Sequence, residues 1–201
     1  MAMPPSTTFA PPPTASVSLP AVAALALAQH KAALWADASL WVYAVVMGTR
    51  VPELPTLLAG ADVADHICLL PGALAPAARR RAPYLVTLKR HSPFTDWLLF
   101  EAPASLGEWG VVVRSASPKI ALRSHLRSLR LASTPNAERF VLDWMDPEIL
   151  QALLPLFSPG ELVAFMGPVT ALVLPGAAVW TTAGVALGRL ELVSTPVAKA
   201  V

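Results

Sequence analysis

The sequence contains very little cysteine and histidine. Cys68 is the single cysteine among 201 residues, which excludes an internal disulfide framework and a cysteine-rich zinc site. The four histidines are scattered, and no two have the i, i+4 spacing that places two imidazoles on one helix face. This composition suits a reducing compartment, so we expect a cytoplasmic protein without a metal or other cofactor.

The motifs of common catalytic sites are also absent. The chain has no Gly-x-Ser-x-Gly nucleophile turn and neither of the glycine-rich phosphate-binding loops. We therefore predict a protein that is not an enzyme. The alternative is a small hydrolase with an unrecognised Asp/His or Ser/His site, which would require Asp143, Asp146 and a histidine to converge in one pocket. Asp146 precedes Pro147-Glu148, and a helix N-cap explains this context better than a catalytic role does.

No long apolar run is suited to crossing a membrane. Residues 162–188 carry no charge and are long enough to span a bilayer. Gly167-Pro168, Pro175-Gly176 and Gly184 divide this stretch into pieces of strand length. We expect no membrane association.

Strong net charge is absent as well. The formal charge is +2, far from the clustered positive field that nucleic-acid-binding proteins use. Arg123, Arg127 and Arg130 nevertheless follow i, i+4, i+7 spacing in a predicted amphipathic helix over residues 119–131. A solvated helix face explains this pattern better than a phosphate-binding surface, because no aromatic residues alternate with the arginines. We predict no nucleic-acid partner.

The chain is rich in proline and in small apolar residues, and its apolar runs are separated by turn-forming residues. Residues 1–20 are rich in proline, serine and threonine, and we expect a disordered lead, followed by a single α/β domain over residues 21–201. Residues 21–35 have helical composition and spacing. The run Leu40 to Met47 is continuously β-branched and aromatic, which predicts a buried strand.

Four helices are predicted to begin at a capping residue followed by proline, a combination that satisfies the first helical turn. These starts are Ser92-Pro93, Ser117-Pro118, Asp146-Pro147 and Ser158-Pro159. The first three follow apolar runs, so strand and capped helix alternate. Such alternation predicts an α/β fold with a mixed, partly parallel sheet flanked by helices. Short strand-like pieces separated by turns at the C-terminal end predict a closing antiparallel hairpin.

Six tryptophans are present. Most fall in apolar runs and should be buried, but aromatic residues are also favoured anchors of protein interfaces. The pattern does not indicate which of them face solvent.

Read in order, several blocks resemble one known family. They are Ala82-Pro83-Tyr84-Leu85-Val86, then residues 109–115 (WGVVVRS), 122–127 (LRSHLR) and 140–150 (FVLDWMDPEIL), then Phe165-Met166-Gly167-Pro168. Their order resembles that of the type VI secretion effector-chaperone (adaptor) family, often called Tap or TEC proteins. The resemblance covers about residues 34–180. Each block alone is common, and the resemblance is specific because the blocks occur in the same order as in that family.

This resemblance implies a non-enzymatic cytoplasmic adaptor that binds a secreted effector protein and promotes its loading onto the spike (VgrG-like) protein. For such an adaptor, the arginine-bearing helix is the interface that we predict, and we assign partner binding to Arg123, Arg127, Arg130, Asp143 and Trp144. One position departs from the family, which usually has an arginine where this chain has Asp143, three residues before the Asp-Pro aspartate. Many relatives also carry a further C-terminal lobe, so we expect part of the partner surface to be missing.

Overall fold

The computed structural model describes residues 21–60, 65–133, 136 and 139–197. The predicted disordered lead, residues 1–20, lies outside this range. The helices are α1 (Ala21–Leu34), α2 (Leu54–Leu58), α3 (Pro76–Arg81), α4 (Pro93–Asp96), α5 (Ala102–Leu106), α6 (Lys119–Ser128), α7 (Pro147–Leu153) and α8 (Pro159–Met166). A π-helical segment, Trp97–Glu101, joins α4 to α5, and a 3-10 turn, Leu154–Leu156, extends α7.

The strands form one large sheet and one small ribbon. They are β1 (Trp41–Met47), β2 (Asp65–Cys68), β3 (Pro83–Thr87), β4 (Gly110–Ser115), β5 (Leu131–Ser133), β6 (Arg139–Val141), β7 (Val169–Pro175), β8 (Val179–Ala186) and β9 (Arg189–Pro196). Among the described residues, seven strands form a sheet in the order β2-β3-β1-β4-β7-β8-β9, and β5 pairs with β6 alone. We call the β5-β6 pair the ribbon.

The prediction of a partly parallel sheet is wrong, because every neighbouring pair of strands is antiparallel. Helices α4 and α5 do connect two strands that run in the same direction, β3 and β4. However, β1 lies between those two strands and pairs with both of them. A strand, a helical segment and a second strand do follow one another along the chain, as predicted. However, β1, which precedes them in the sequence, lies between β3 and β4 in the sheet.

The C-terminal strands do form antiparallel pairs, β7 with β8 and β8 with β9. The last turn lies at Leu187-Gly188, and Gly184, which was expected to divide the apolar stretch, lies inside β8. No helix in the described part of the chain is long and apolar enough to cross a membrane. The uncharged stretch of residues 162–188 instead forms most of α8, then β7 and β8.

Helices cover both faces of the sheet, and β1 shows how the two cores are divided. Its even-numbered residues, such as Val42 and Val46, pack in a core with α1, α2 and the α4-α5 segment. Its odd-numbered residues, Tyr43 and Val45, pack in a second core with α6, α7 and α8. The alternation is a consequence of the two-residue period of a strand. Because both faces are buried, the strand reads as a continuous apolar run.

Three of the four predicted caps are present. The side chains of Ser92, Asp146 and Ser158 each accept a hydrogen bond from a first-turn amide, and Ser158 forms a full capping box with Glu161. The cap predicted at Ser117 is wrong, since Pro118 occupies the N-cap position of α6 without a side-chain hydrogen bond. The Ser117 amide instead donates to Oγ of Ser115 at 3.0 Å.

Two of the sequence blocks meet where α8 ends. The His125 ring on α6 hydrogen bonds through Nε2 to the Phe165 carbonyl oxygen at 2.9 Å. Gly167 follows with φ of 50°, and a Cβ at this position would overlap the His125 ring. Glycine is therefore favoured at position 167 for two reasons. It adopts a left-handed backbone without strain, and it leaves room for the imidazole of His125.

Candidate functional site

Helix α6 is amphipathic, as predicted, and buries Leu122 and Leu126 against the sheet. Its arginines do not form a free basic stripe. Nε of Arg123 donates to the Cys68 carbonyl oxygen at 3.0 Å, at the edge strand β2. Lys119 forms an ion pair with Asp65 of the same strand. Arg123 therefore holds α6 against the sheet edge, while Arg127 lies half-buried on the helix surface.

Arg130 and Asp143 are brought together by the ribbon. Arg130 immediately precedes β5, and Asp143 follows β6 after one residue. The Leu142 amide donates to the Arg130 carbonyl oxygen at 2.8 Å, which extends the ribbon pairing toward its base. Two of the five predicted partner-binding residues thus flank the base of one exposed hairpin.

The ribbon exposes large apolar side chains. Leu131 and Val141 are Cα partners in the ribbon pairing and therefore share a face. Their exposed fractions are 66% and 62%, and Phe140 is 45% exposed. Phe140 neighbours Val141 along β6, so its side chain lies on the opposite face of the ribbon. Single exposed apolar residues are ordinary on protein surfaces, but Leu131 and Val141 form an exposed apolar pair on one face, a feature also found at interaction sites.

A charged cleft of about 140 Å³ adjoins the base of this ribbon. It is lined by Met47, Thr49, Leu70, Arg81, Pro83, Arg130, Asp143 and Met145. Nε of Arg130 is buried and has no hydrogen-bond partner among the described residues. Arg81 and Asp143 are exposed. We call the ribbon and this cleft together the ribbon-cleft surface.

The cleft unites two basic segments that are far apart in the sequence. Arg81 ends α3, the helix that contains the Arg79-Arg80-Arg81 run, whereas Arg130 follows α6. The arginine run is recognisable in the sequence as a basic segment. However, no short-range sequence pattern indicates that Arg81 lies beside Arg130. The sequence did not reveal that Leu131, Phe140 and Val141 are exposed, because the apolar run before the Asp146-Pro147 cap predicts a strand of the main domain.

Trp144 lies in the core and not on the surface. It is fully buried, and its ring contacts Phe165 edge-on with centroids 5.8 Å apart. Its assignment to a partner-binding surface is therefore corrected. Trp144 and Met145 pack in the core between the exposed Asp143 and the start of α7, and Met145 also lines the cleft.

Asp146 is engaged in structural contacts. One carboxylate oxygen accepts from the Glu148 amide and the other from Arg50, both at 3.0 Å. A neighbouring pocket of about 320 Å³ is lined by Glu108, Gln151, Thr181 and Ser194, among others. Burial raises the pKa of Glu108, and the nearby carboxylates of Glu148 and Asp146 raise it further.

The geometry required by the hydrolase alternative is not found in these two pockets. Asp143 lines the cleft, Asp146 lines neither pocket, and neither contains a histidine among its described lining residues. A third cavity of about 460 Å³ does contain His66 and Cys68, beside Arg79 and Tyr84. Burial lowers the pKa of His66 there. Within the described ranges, no group of three metal-ligating side chains occurs.

The chain matches a known protein family. The model of the family described as Domain of unknown function (DUF4123) matches residues 42–164. The chain belongs to the DUF4123 family. The DUF4123 match includes the whole ribbon-cleft surface, from Met47 to Met145. No curated protein and no solved structure matches this DUF4123 chain significantly.

Proposed function

We propose that this protein is a non-enzymatic adaptor that binds a type VI secretion effector and promotes its loading onto the spike protein. The observation that carries the proposal is the exposed apolar and basic ribbon-cleft surface, located inside the family-matched region. An adaptor acts through a surface of this kind, because apolar burial supplies affinity and charge supplies selectivity.

The order of the sequence blocks supports the same proposal. Four of the five blocks that resemble effector chaperones lie within residues 42–164. The structure gives several of them structural roles, such as the His125 contact at the end of α8 and the Asp146 cap. A shared framework of this sort leaves the surface free to differ between adaptors that bind different effectors. Asp143, which replaces the arginine usual in that family, is one such surface difference.

The proposal is tested by coexpression. The chain, tagged at one end, is produced together with the protein encoded beside it and with the spike protein, and the mixture is passed over an affinity column and then a size-exclusion column. We expect the chain and the effector to elute as one complex, and the effector to associate with the spike protein more in the presence of the chain. Separate elution of chain and effector would overturn the proposal.

A further inference from the structure

We propose that the ribbon-cleft surface binds a segment of a partner protein in which apolar side chains lie next to a carboxylate. The apolar side chains cover Leu131 and Val141, and the carboxylate enters the cleft between Arg81 and Arg130. This inference specifies the recognition chemistry of the proposed adaptor, and it rests on the proposed function only for the identity of the partner.

The charge of the cleft selects an anionic group. Arg81 and Arg130 line it from two different segments, and Nε of Arg130 is buried without a hydrogen-bond partner among the described residues. The Nε donor of Arg130 is therefore unused, and the planar fork of donors on a guanidinium matches the geometry of a carboxylate.

The ribbon selects apolar groups beside that anion. Leu131 directly follows Arg130 in the chain, and Val141 is its cross-strand partner. Both side chains are more than half exposed, so a partner that covers them removes apolar surface from water at about 25 cal/mol per Å². Val141 lies two residues before Asp143, which lines the cleft, so the exposed apolar pair adjoins the charged site along the chain. We therefore expect the apolar and acidic groups of the partner to lie within a few residues of one segment.

Asp143 determines how strong the anion selectivity is. Its exposed carboxylate lines the same cleft, so it repels an incoming carboxylate while the two arginines attract it. Neutralising Asp143 should therefore strengthen binding, whereas neutralising Arg130 should weaken it. This pair of opposite effects distinguishes charge recognition from general damage to the fold.

A protein segment fits this surface better than a nucleic acid. Nucleic-acid surfaces combine several phosphate-binding cations with stacking aromatic side chains. Here an aspartate lines the cleft, the exposed apolar pair Leu131 and Val141 is aliphatic, and the exposed aromatic Phe140 lies on the opposite face of the ribbon from that pair.

The test uses the full chain and does not require a known effector. A random peptide library displayed on phage is selected against the immobilised protein, and enriched peptides are synthesised with a fluorophore for titration by polarisation. We expect enriched peptides to combine Leu, Ile or Phe with Asp or Glu. We also expect Arg130→Gln and Leu131→Ser each to weaken binding about tenfold or more, and Asp143→Asn to strengthen it.

The matched control is Arg189→Gln, which removes an exposed arginine from the far edge strand β9 and should leave peptide affinity unchanged. Circular dichroism verifies the fold of each variant, and the gain expected from Asp143→Asn remains a test if Arg130→Gln does not fold. The inference is overturned if no peptide is enriched, if enriched peptides lack acidic residues, or if their affinity is the same for all variants. Tighter, Arg130-dependent binding of a labelled single-stranded oligonucleotide would also overturn it.

Copurification of the effector with the wild-type chain and its variants distinguishes failure of the adaptor proposal from failure of the proposed recognition surface. If the effector copurifies with the wild-type chain and equally with Arg130→Gln and Leu131→Ser, the adaptor function stands and the assigned surface is wrong. If peptides bind as expected but the effector does not copurify, the recognition chemistry stands and the adaptor proposal fails.

Discussion

At the scale of single residues, the tryptophans show how similar side chains serve different purposes. Trp97, Trp109, Trp144 and Trp180 are buried, whereas Trp41 at the start of β1 is 54% exposed. All five lie in or beside apolar runs, so the sequence predicted that most are buried but not which one faces outward. Exposure at position 41 depends on which helices cover the end of β1, and this is a property of the whole fold.

Replacing Trp144 by alanine should strongly destabilise the protein. The ring is fully buried against Phe165, so its loss leaves a cavity and should lower the free energy of unfolding by about 3 to 5 kcal/mol. Trp41→Ala is the matched control and should cost much less, because half of that ring already faces water. Urea denaturation followed by circular dichroism measures both. Equal losses for the two variants would show that the assigned burial is wrong.

Glu108 should make stability depend on pH in the direction opposite to most carboxylates. Its pKa in the folded state is raised above the ordinary value of 4.5, so the folded protein holds the proton more tightly than the unfolded chain. Stability from this group is present below about pH 4.5 and is lost as pH rises through the folded pKa.

Glu108→Gln should therefore raise the melting temperature near neutral pH and have little effect at about pH 4, where the wild-type carboxyl is protonated in both states. Scanning calorimetry across this range tests the sign. Glu191→Gln, which changes an exposed glutamate on β9, serves as the control. A destabilised Glu108→Gln variant at neutral pH would contradict the assignment.

At the scale of elements, the helix ends show which contacts can be predicted from the sequence and which cannot. The caps at Ser92, Asp146 and Ser158 were predictable, because a capping side chain and the amide it accepts from lie within three residues of each other. The contact between His125 and the end of α8 was not predictable, since it joins residues 40 apart. Local chemistry therefore predicts where these helices start, whereas the His125 contact depends on how α6 and α8 pack together.

The His125-Gly167 contact should appear as a coupling in a double-mutant cycle. Gly167→Ala forces a Cβ into the imidazole and a left-handed backbone onto alanine, at a combined cost of about 2 kcal/mol or more. His125→Ala loses the hydrogen bond to Phe165, worth about 1 kcal/mol. In the double variant the overlap with imidazole is gone, so the loss of stability should be smaller than the sum of the single losses. Exactly additive losses would show that the ring and the glycine do not interact.

At the scale of the whole molecule, the ribbon stands apart from the sheet and its two cores. The sheet buries apolar residues on both faces, whereas the ribbon leaves Leu131, Phe140 and Val141 exposed. A two-stranded ribbon has little stability of its own. Its exposed apolar side chains therefore contribute little to folding.

This difference predicts separate effects on stability and on binding. Leu131→Ser combined with Val141→Ser should change the free energy of unfolding by about 0.5 kcal/mol or less per site, as is usual for surface positions. Leu122→Ala, which truncates a fully buried side chain on α6, should cost about 2 to 5 kcal/mol. Chemical denaturation compares the two variants. If the ribbon double variant lost as much stability as Leu122→Ala, the ribbon would be part of the folding core.

The sequence by itself determined the local features: the first helix, the buried strand β1, three helix caps, the amphipathic character of α6 and the antiparallel C-terminal strands. Each depends on residue types within a few positions of one another. The tertiary structure alone decided that β1 separates β3 from β4, which makes every strand pair antiparallel, that Trp144 is buried, and that Arg81 and Arg130 share one cleft with Asp143. The physical reason is that packing joins residues tens of positions apart, and the spacing of side chains along the chain does not record which distant segments become neighbours.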